Sequence, residues 1–244
     1  MNLGNILLHE TGAELTGSLR APEFIIPTLA MPSGFYLIFG VLMSSGGNAA
    51  AYLLATYGVF AVMGPAVFGF GVGVATEREK GWLSLKRVAP APAITYIGAK
   101  LSTTLIFCAL AVMPIYLIAG FAGDVAMPRT DWLLLFGSHM LAAVPFSLIG
   151  LLLGFSFGSG AAIAVSNIVF LGFALLGGLW LPIMLFPAIM QTAANAIPSF
   201  HLAEISLSIV DKDTARSVST HLAVIAAMTV VLAVLATRAW RRQQ

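Results

Sequence analysis

Charge is the scarcest commodity in this sequence. Asp, Glu, Lys and Arg together make up 9% of its 244 residues, where a soluble domain carries roughly 25%. So few charges cannot cover a water-facing surface. Three stretches hold none at all: Phe24–Thr76, Leu101–Gly123 and Trp132–Ala203. Other absences narrow the class. A lone cysteine, Cys108, excludes an intrachain disulfide. No G-x-x-x-x-G-K-[ST] run occurs, so a phosphate-binding loop of that kind is excluded. H-E-x-x-H is absent, and His139, His201 and His221 have no metal-ligand spacing, so neither an intramembrane metalloprotease nor a metal site is expected. The apolar runs contain no carboxylate, which argues against a proton-coupled carrier. They also lack the period-2 alternation of a barrel wall. The first nineteen residues carry Glu10 and Glu14 without a basic start or a continuous apolar core, and are not expected to be a signal peptide. The few basic residues flank apolar runs and form no patch for nucleic acid.

What is present is hydrophobic: 59% of residues, with a mean hydropathy of +0.96. A helix needs about 20 predominantly apolar residues to cross a bilayer. Breakers and charges divide the chain into six such helices, at about Phe24–Met43, Ala49–Ala75, Ile94 to Gly120, Trp132–Phe155, Ala161–Leu181 and His221–Ala236. The expected fold is therefore an all-α membrane protein of six transmembrane helices, a single transmembrane domain over residues 1–244 with no room for a soluble catalytic domain. Lys and Arg set its orientation. Nine of them (Arg20, Arg78, Lys80, Lys86, Arg87, Lys100, Arg238, Arg241 and Arg242) fall on one side, against Arg129, Lys212 and Arg216 on the other. Both termini are thus expected in the cytoplasm.

Two segments lie outside these spans. Residues 1–20 place Leu3, Ile6, Leu7, Leu15 and Leu19 at helical spacings and suit an interfacial helix. Residues 182–202 are apolar but broken by Pro182, Pro187 and Pro198. They are too interrupted for a span and too apolar for a solvated loop. A re-entrant hairpin on the outer side, packed against protein between the fifth and sixth spans, satisfies that backbone best.

The loop at 76–93 carries more than orientation requires. Glu77, Arg78, Glu79 and Lys80 precede Gly81, then an amphipathic turn with Trp82, Leu83 and Leu85 apolar and Lys86 and Arg87 polar, closed by Pro90. Mixed charge beside an exposed Trp suits docking of a soluble partner. In the fifth span Asn167 and Phe170 share a helical face with Ala174 and Gly178, and in the second Tyr57, Phe60 and Phe68 offer aromatic surface. Gly69 and Gly73 form a small-residue face suited to close helix packing, and His139 is expected to take a hydrogen-bonded packing role inside the fourth span.

These features resemble the permease subunit of ABC-2 type exporters. That family typically shows E-R-E-x-G-T after the second span, followed by a leucine-rich turn and a proline. Glu77, Arg78, Glu79, Gly81, Leu83 and Pro90 match it, and Trp82 stands where Thr is usual. The family also often places a Gly-x-x-x-Pro and two further prolines after the fifth span, as Gly178, Pro182, Pro187 and Pro198 do here. The resemblance implies that 76–93 is a coupling loop seated in a separate ABC ATPase, which binds ATP and Mg while this chain binds no cofactor. It further implies a second permease copy, identical or not, and a substrate path along the second and fifth spans. The cargo would be an apolar or amphipathic compound, such as a drug, antibiotic or lipid, moved outward across a cell membrane, the inner one in a bacterium. A self-sufficient secondary transporter or channel, and a non-transporting membrane scaffold, are the alternatives.

The orientation is directly testable. In a Cys108→Ala background, cysteines at residues 2 and 243 are expected to resist a membrane-impermeant maleimide in intact cells and to react after permeabilisation. Labelling of either end from outside overturns the topology.

Overall fold

A computed structural model describes residues 3–20, 22–44, 46–82, 93–211 and 217–242. Every regular element among them is helical. Helix α1 is Leu3–Leu19. Helix α2, Pro22–Phe35, runs into a π-helix at Tyr36–Leu42. Then come α3 (Asn48–Glu79), α4 (Ala93–Phe121), α5 (Arg129–Ser156) and α6 (Ser159–Leu176). A 3-10 turn at Ile183–Leu185 and the short α7 (Ala188–Ala194) lead to α8 (Pro198–Val210) and α9 (Val218–Arg241).

Helices α3, α4, α5, α6 and α9 are long and apolar enough to cross a membrane, so the chain is a multi-pass membrane protein. The expected first span corresponds to α2 and its π-helical extension, whose apolar stretch, Ile26–Leu42, is shorter than the other five. Its lengthened final turns fit the Tyr36 ring, which lies over Gly40 and donates from its hydroxyl to the Ala50 carbonyl at 3.1 Å. The fifth span ends earlier than the expected Leu181. Helix α6 stops at Leu176 because Gly177 and Gly178, the latter at φ 72°, break it.

Helix α3 is the axis of the bundle. In its most apolar window 78% is buried, against 22% for α6 and 11% for α9, so α3 faces protein and the other two present most of their surface outward. Leu54, Phe60, Val62 and Met63 are fully buried. The closest approach to α3 comes from α5. A Cβ added at Gly150 would lie 2.7 Å from the Val67 carbonyl oxygen, and one at Gly154 would lie 2.8 Å from that of Gly71. Gly150 and Gly154, four residues apart, thus form the notch that lets two backbones touch. Gly69 and Gly73 have a looser role than expected: a Cβ there would meet Thr104 and Lys100 of α4 at ordinary contact distance.

His139 pins the same helices in the middle of the bundle. Its Nε2 lies 3.0 Å from the Ala55 carbonyl oxygen, an acceptor, so Nε2–H donates. Its Nδ1 then accepts from the Tyr116 hydroxyl at 3.0 Å. Three helices are joined by one neutral ring, the packing role expected of it. Gly58 makes room, since a Cβ there would overlap the imidazole.

In the segment after α6, each proline starts a helical turn. Pro182 caps the 3-10 turn, Pro187 caps α7, and Pro198 occupies the first turn of α8, where its missing N–H costs nothing. The expected boundary at Leu202 therefore falls inside α8. Ser199 at its start donates to the Phe173 carbonyl of α6 at 2.7 Å, in a space that a side chain at Gly177 would fill.

The glycine notch gives a graded prediction. Gly150→Ala and Gly154→Ala force α3 and α5 apart and should each cost about 1–3 kcal/mol, as overpacking does. Gly69→Ala should be neutral or stabilising by up to about 1 kcal/mol through helix propensity. Thermal unfolding of the purified protein separates the two classes.

Candidate functional site

Successive residues of an α-helix point about 100° apart, so three consecutive charges at a helix end fan out toward three neighbours. Glu77, Arg78 and Glu79 at the end of α3 do this. The Glu77 carboxylate, largely buried, accepts from Lys100 Nζ at 2.7 Å and from the Tyr96 hydroxyl at 2.7 Å, both on α4. Lys100 also reaches Glu14 of α1 at 3.0 Å. Arg78 donates to the carbonyls of Phe155 at 2.5 Å and Phe157 at 2.7 Å, at the end of α5. Glu79 accepts from the Ser159 backbone N–H at 2.8 Å and from the Ser159 hydroxyl, at the start of α6.

The signs of these charges follow from the partners. A helix C-terminus presents unpaired carbonyls and favours a cation, whereas an N-terminus presents unpaired N–H groups and favours an anion. The N-cap of α6, Gly158, has no side chain with which to cap, and Glu79 supplies the missing acceptor. Arg78 and Glu79 thus cap the two helix ends of the tight α5–α6 turn, while Glu77 binds α4 and, through Lys100, α1. Of the residues expected to dock a partner, Glu77, Arg78 and Glu79 are engaged within the chain. Trp82, half exposed, does face outward, with Lys80 Nζ 5.2 Å from its ring centroid and Gly81 at φ 73° turning the backbone. Leu83, Lys86, Arg87 and Pro90 lie outside the described residues.

Lys100, Tyr96, Glu14 and Ser159 are the members of this cluster that the sequence reading did not assign to the site. Lys100 was the available signal, as the only charge in α4, a helix whose remaining residues are uncharged.

The expected substrate-path residues meet on the other side of α3. A cavity of about 290 Å³ opens between α2, α3 and α6, lined by Phe60, Phe68, Asn167 and Phe170 together with Pro27, Thr28, Met31 and Pro32. Phe170 lies 5.0 Å from Phe60 and 5.6 Å from Phe68 between ring centroids. Asn167 donates to the Ile163 carbonyl one turn back. Tyr57 is buried against Phe60 behind this wall and does not line the cavity. Four of the five candidates thus share one apolar chamber with two polar side chains, Thr28 and Asn167. No cluster of metal-ligating residues occurs among the described residues. Pro182, Pro187 and Pro198 contribute to neither site; they begin the helical turns described above.

Comparison with known proteins agrees with this architecture. A family model described as ABC-2 family transporter protein matches residues 26–238. YvfS of Bacillus subtilis (strain 168), named as a transport permease, is 28% identical over 201 residues, covering 81% of this chain and 82% of its own.

The charge cluster predicts a large stability effect confined to its buried members. Lys100→Met removes the cation between Glu77 and Glu14 and should cost about 3–5 kcal/mol, as stranding one side of a buried pair does. Trp82→Ala should leave the unfolding temperature unchanged. A small effect of Lys100→Met would show that the cluster is solvated and holds nothing together.

Proposed function

The chain belongs to the ABC-2 transporter family, and on that footing we propose that this membrane permease is the transmembrane subunit of an ATP-driven exporter, moving an apolar or amphipathic compound outward. The observation that carries the reading is the joint presence of an aromatic-lined cavity between α2, α3 and α6 and a charge cluster at the end of α3. The chamber, between α2, α3 and α6, suits flat apolar cargo: Phe60, Phe68 and Phe170 supply surface, and Thr28 and Asn167 supply the few polar groups that orient a ligand. Its cargo class extends to drugs, antibiotics and lipids.

A separate ABC ATPase drives the cycle, holding ATP and Mg, and this chain is a transport subunit without catalysis of its own. The loop at 76–93 is the coupling loop, with Trp82 and the stretch through Arg87 as its contact. Glu77, Arg78 and Glu79 act one step behind that contact. They tie the root of the loop to α4 and α1, and to the α5–α6 turn, so a displacement of the loop moves four helices together. Two permease copies, identical or paired with a related chain, enclose the path. Nucleotide then shifts the pair between conformations that bind cargo with different affinity. The single domain of residues 1–244 crosses the cell membrane six times, counting α2 with its π-helical end. Both termini are cytoplasmic, α1 lies in the interface, and residues 182–202 form a re-entrant element at the exit.

Two substitutions separate the halves of this reading. Trp82→Ala should weaken co-purification of the ATPase at least tenfold, about the cost of a docking hot spot, without changing the fold. Phe170→Ala should reduce cargo-stimulated ATP hydrolysis several-fold in the reconstituted complex while basal hydrolysis persists. Normal transport by Phe60→Ala, Asn167→Ala and Phe170→Ala alike would remove the chamber from the path.

A further inference from the structure

Two buried histidines meet where α8 packs on α9. His201 and His221 are 3% and 1% exposed, with their Nδ1 atoms 2.9 Å apart. The other ring nitrogens fix the protons. His201 Nε2 lies 2.9 Å from the Asn195 carbonyl oxygen at the end of α7. A carbonyl only accepts, so this nitrogen carries a hydrogen and donates. In a neutral His201, Nδ1 is then a bare acceptor, and His221 Nδ1 must hold the hydrogen between the rings. That leaves His221 Nε2 bare if His221 is neutral too. Yet Nε2 faces an acceptor: Glu204 Oε2, one turn along α8 from His201, lies 4.0 Å away. Two lone pairs confronting each other in a buried site repel.

One additional proton resolves every contact. We propose that His201, His221 and Glu204 form a proton-binding site, in which a proton on His221 Nε2 makes that ring an imidazolium between the Glu204 carboxylate and His201. The chain of donors then runs in one direction. His221 Nε2–H points to Glu204, His221 Nδ1–H donates to His201 Nδ1, and His201 Nε2–H donates to the Asn195 carbonyl. The Phe200 ring, with its centroid 5.9 Å from that of His221, lies within cation–π range. Burial of an isolated imidazolium would be costly; the carboxylate and the second hydrogen bond compensate.

Among the described residues, groups on α3, α5 and α6 lie beside this site. Helix α3 presents Tyr52, which lies within the field of Glu204. Helix α5 meets α8 through the uncharged pair Ser138 and Ser206, and α6 meets it through the Phe173 carbonyl on Ser199. The connecting residues 212–216, outside the described residues, add Lys212, Asp213 and Arg216 to the sequence between the two helices. The proton strengthens the grip of α8 on α9, and that grip is lost as pH rises and the proton leaves. On the orientation proposed above, this end of α9 faces outward, so the acidity sensed is external. The proton site stands independently of the transport reading.

Imidazole nitrogen resonances test it in the full-length protein, labelled at histidine and held in lipid nanodiscs. At pH 7, His221 is expected to carry hydrogens on both nitrogens and His201 on Nε2 alone, with assignments from His201→Gln and His221→Gln samples. In Glu204→Gln, His221 should revert to a neutral ring protonated on Nδ1 only, while His201 keeps its signature. A neutral His221 at pH 7 in the native protein overturns the proposal, as does an imidazolium that persists in Glu204→Gln. If that variant does not fold, the native spectrum alone decides.

Discussion

A hydrocarbon layer supplies no hydrogen-bond partners, so every polar group that a membrane helix buries needs one inside the protein. At the end of α3 that constraint bears on Glu77, which is buried among packed helices, whereas Glu79 is exposed. The bundle accommodates the three charges there by giving each a partner of the matching sign: an ammonium for Glu77, two carbonyls for Arg78, a backbone N–H and a hydroxyl for Glu79. The α5–α6 turn, which has no capping side chain at Gly158, is completed from α3. The same rule operates at mid-bundle, where His139 finds a carbonyl on α3 and a hydroxyl on α4. These residues act as rivets between helices that would otherwise touch mainly through apolar side chains.

Membrane character, helix class and most helix boundaries were legible in the sequence because they depend on length, hydropathy and breakers, all local properties. The aromatic chamber was legible in part. Helical spacing put Asn167 and Phe170 on one face, and the structure sets that face against Phe60 and Phe68. Tyr57 was misplaced because one sequence cannot tell which side of a fully buried helix borders a cavity. The contribution of α2, through Met31 and the prolines at 27 and 32, had no sequence signal, since it depends on how helices distant in the chain come together. The partners of Glu77 were hidden for the same reason: Tyr96 is 19 positions away and Lys100 is 23. Gly69 and Gly73 matched a packing pattern, yet the closer contact uses Gly150 and Gly154, which obey the same pattern on α5.

The prolines between α6 and α8 show a compromise between burial and hydrogen bonding. An apolar segment must still pair its backbone, and short helical turns do so with little length. Proline at the start of each turn removes a donor that no intrahelical acceptor could use, and fixes the backbone for the turn that follows. The chain then delivers α8, a buried helix of 13 residues, onto α3, α5 and α9.

The partners of the α3 triplet also differ in what they demand of heredity. Glu77 is answered by side chains, Lys100 and Tyr96, so a lineage that altered one would come under pressure to alter the others. Arg78 is answered by the main-chain oxygens of residues 155 and 157, which every amino acid possesses. Drift at Phe155 or Phe157 leaves those acceptors in place. Across related chains, position 77 should therefore co-vary with position 100. Position 78 should show no covariation with the residues it touches, although its contacts are as close. A method that infers proximity from correlated substitution would detect the first strand of this cluster and miss the second.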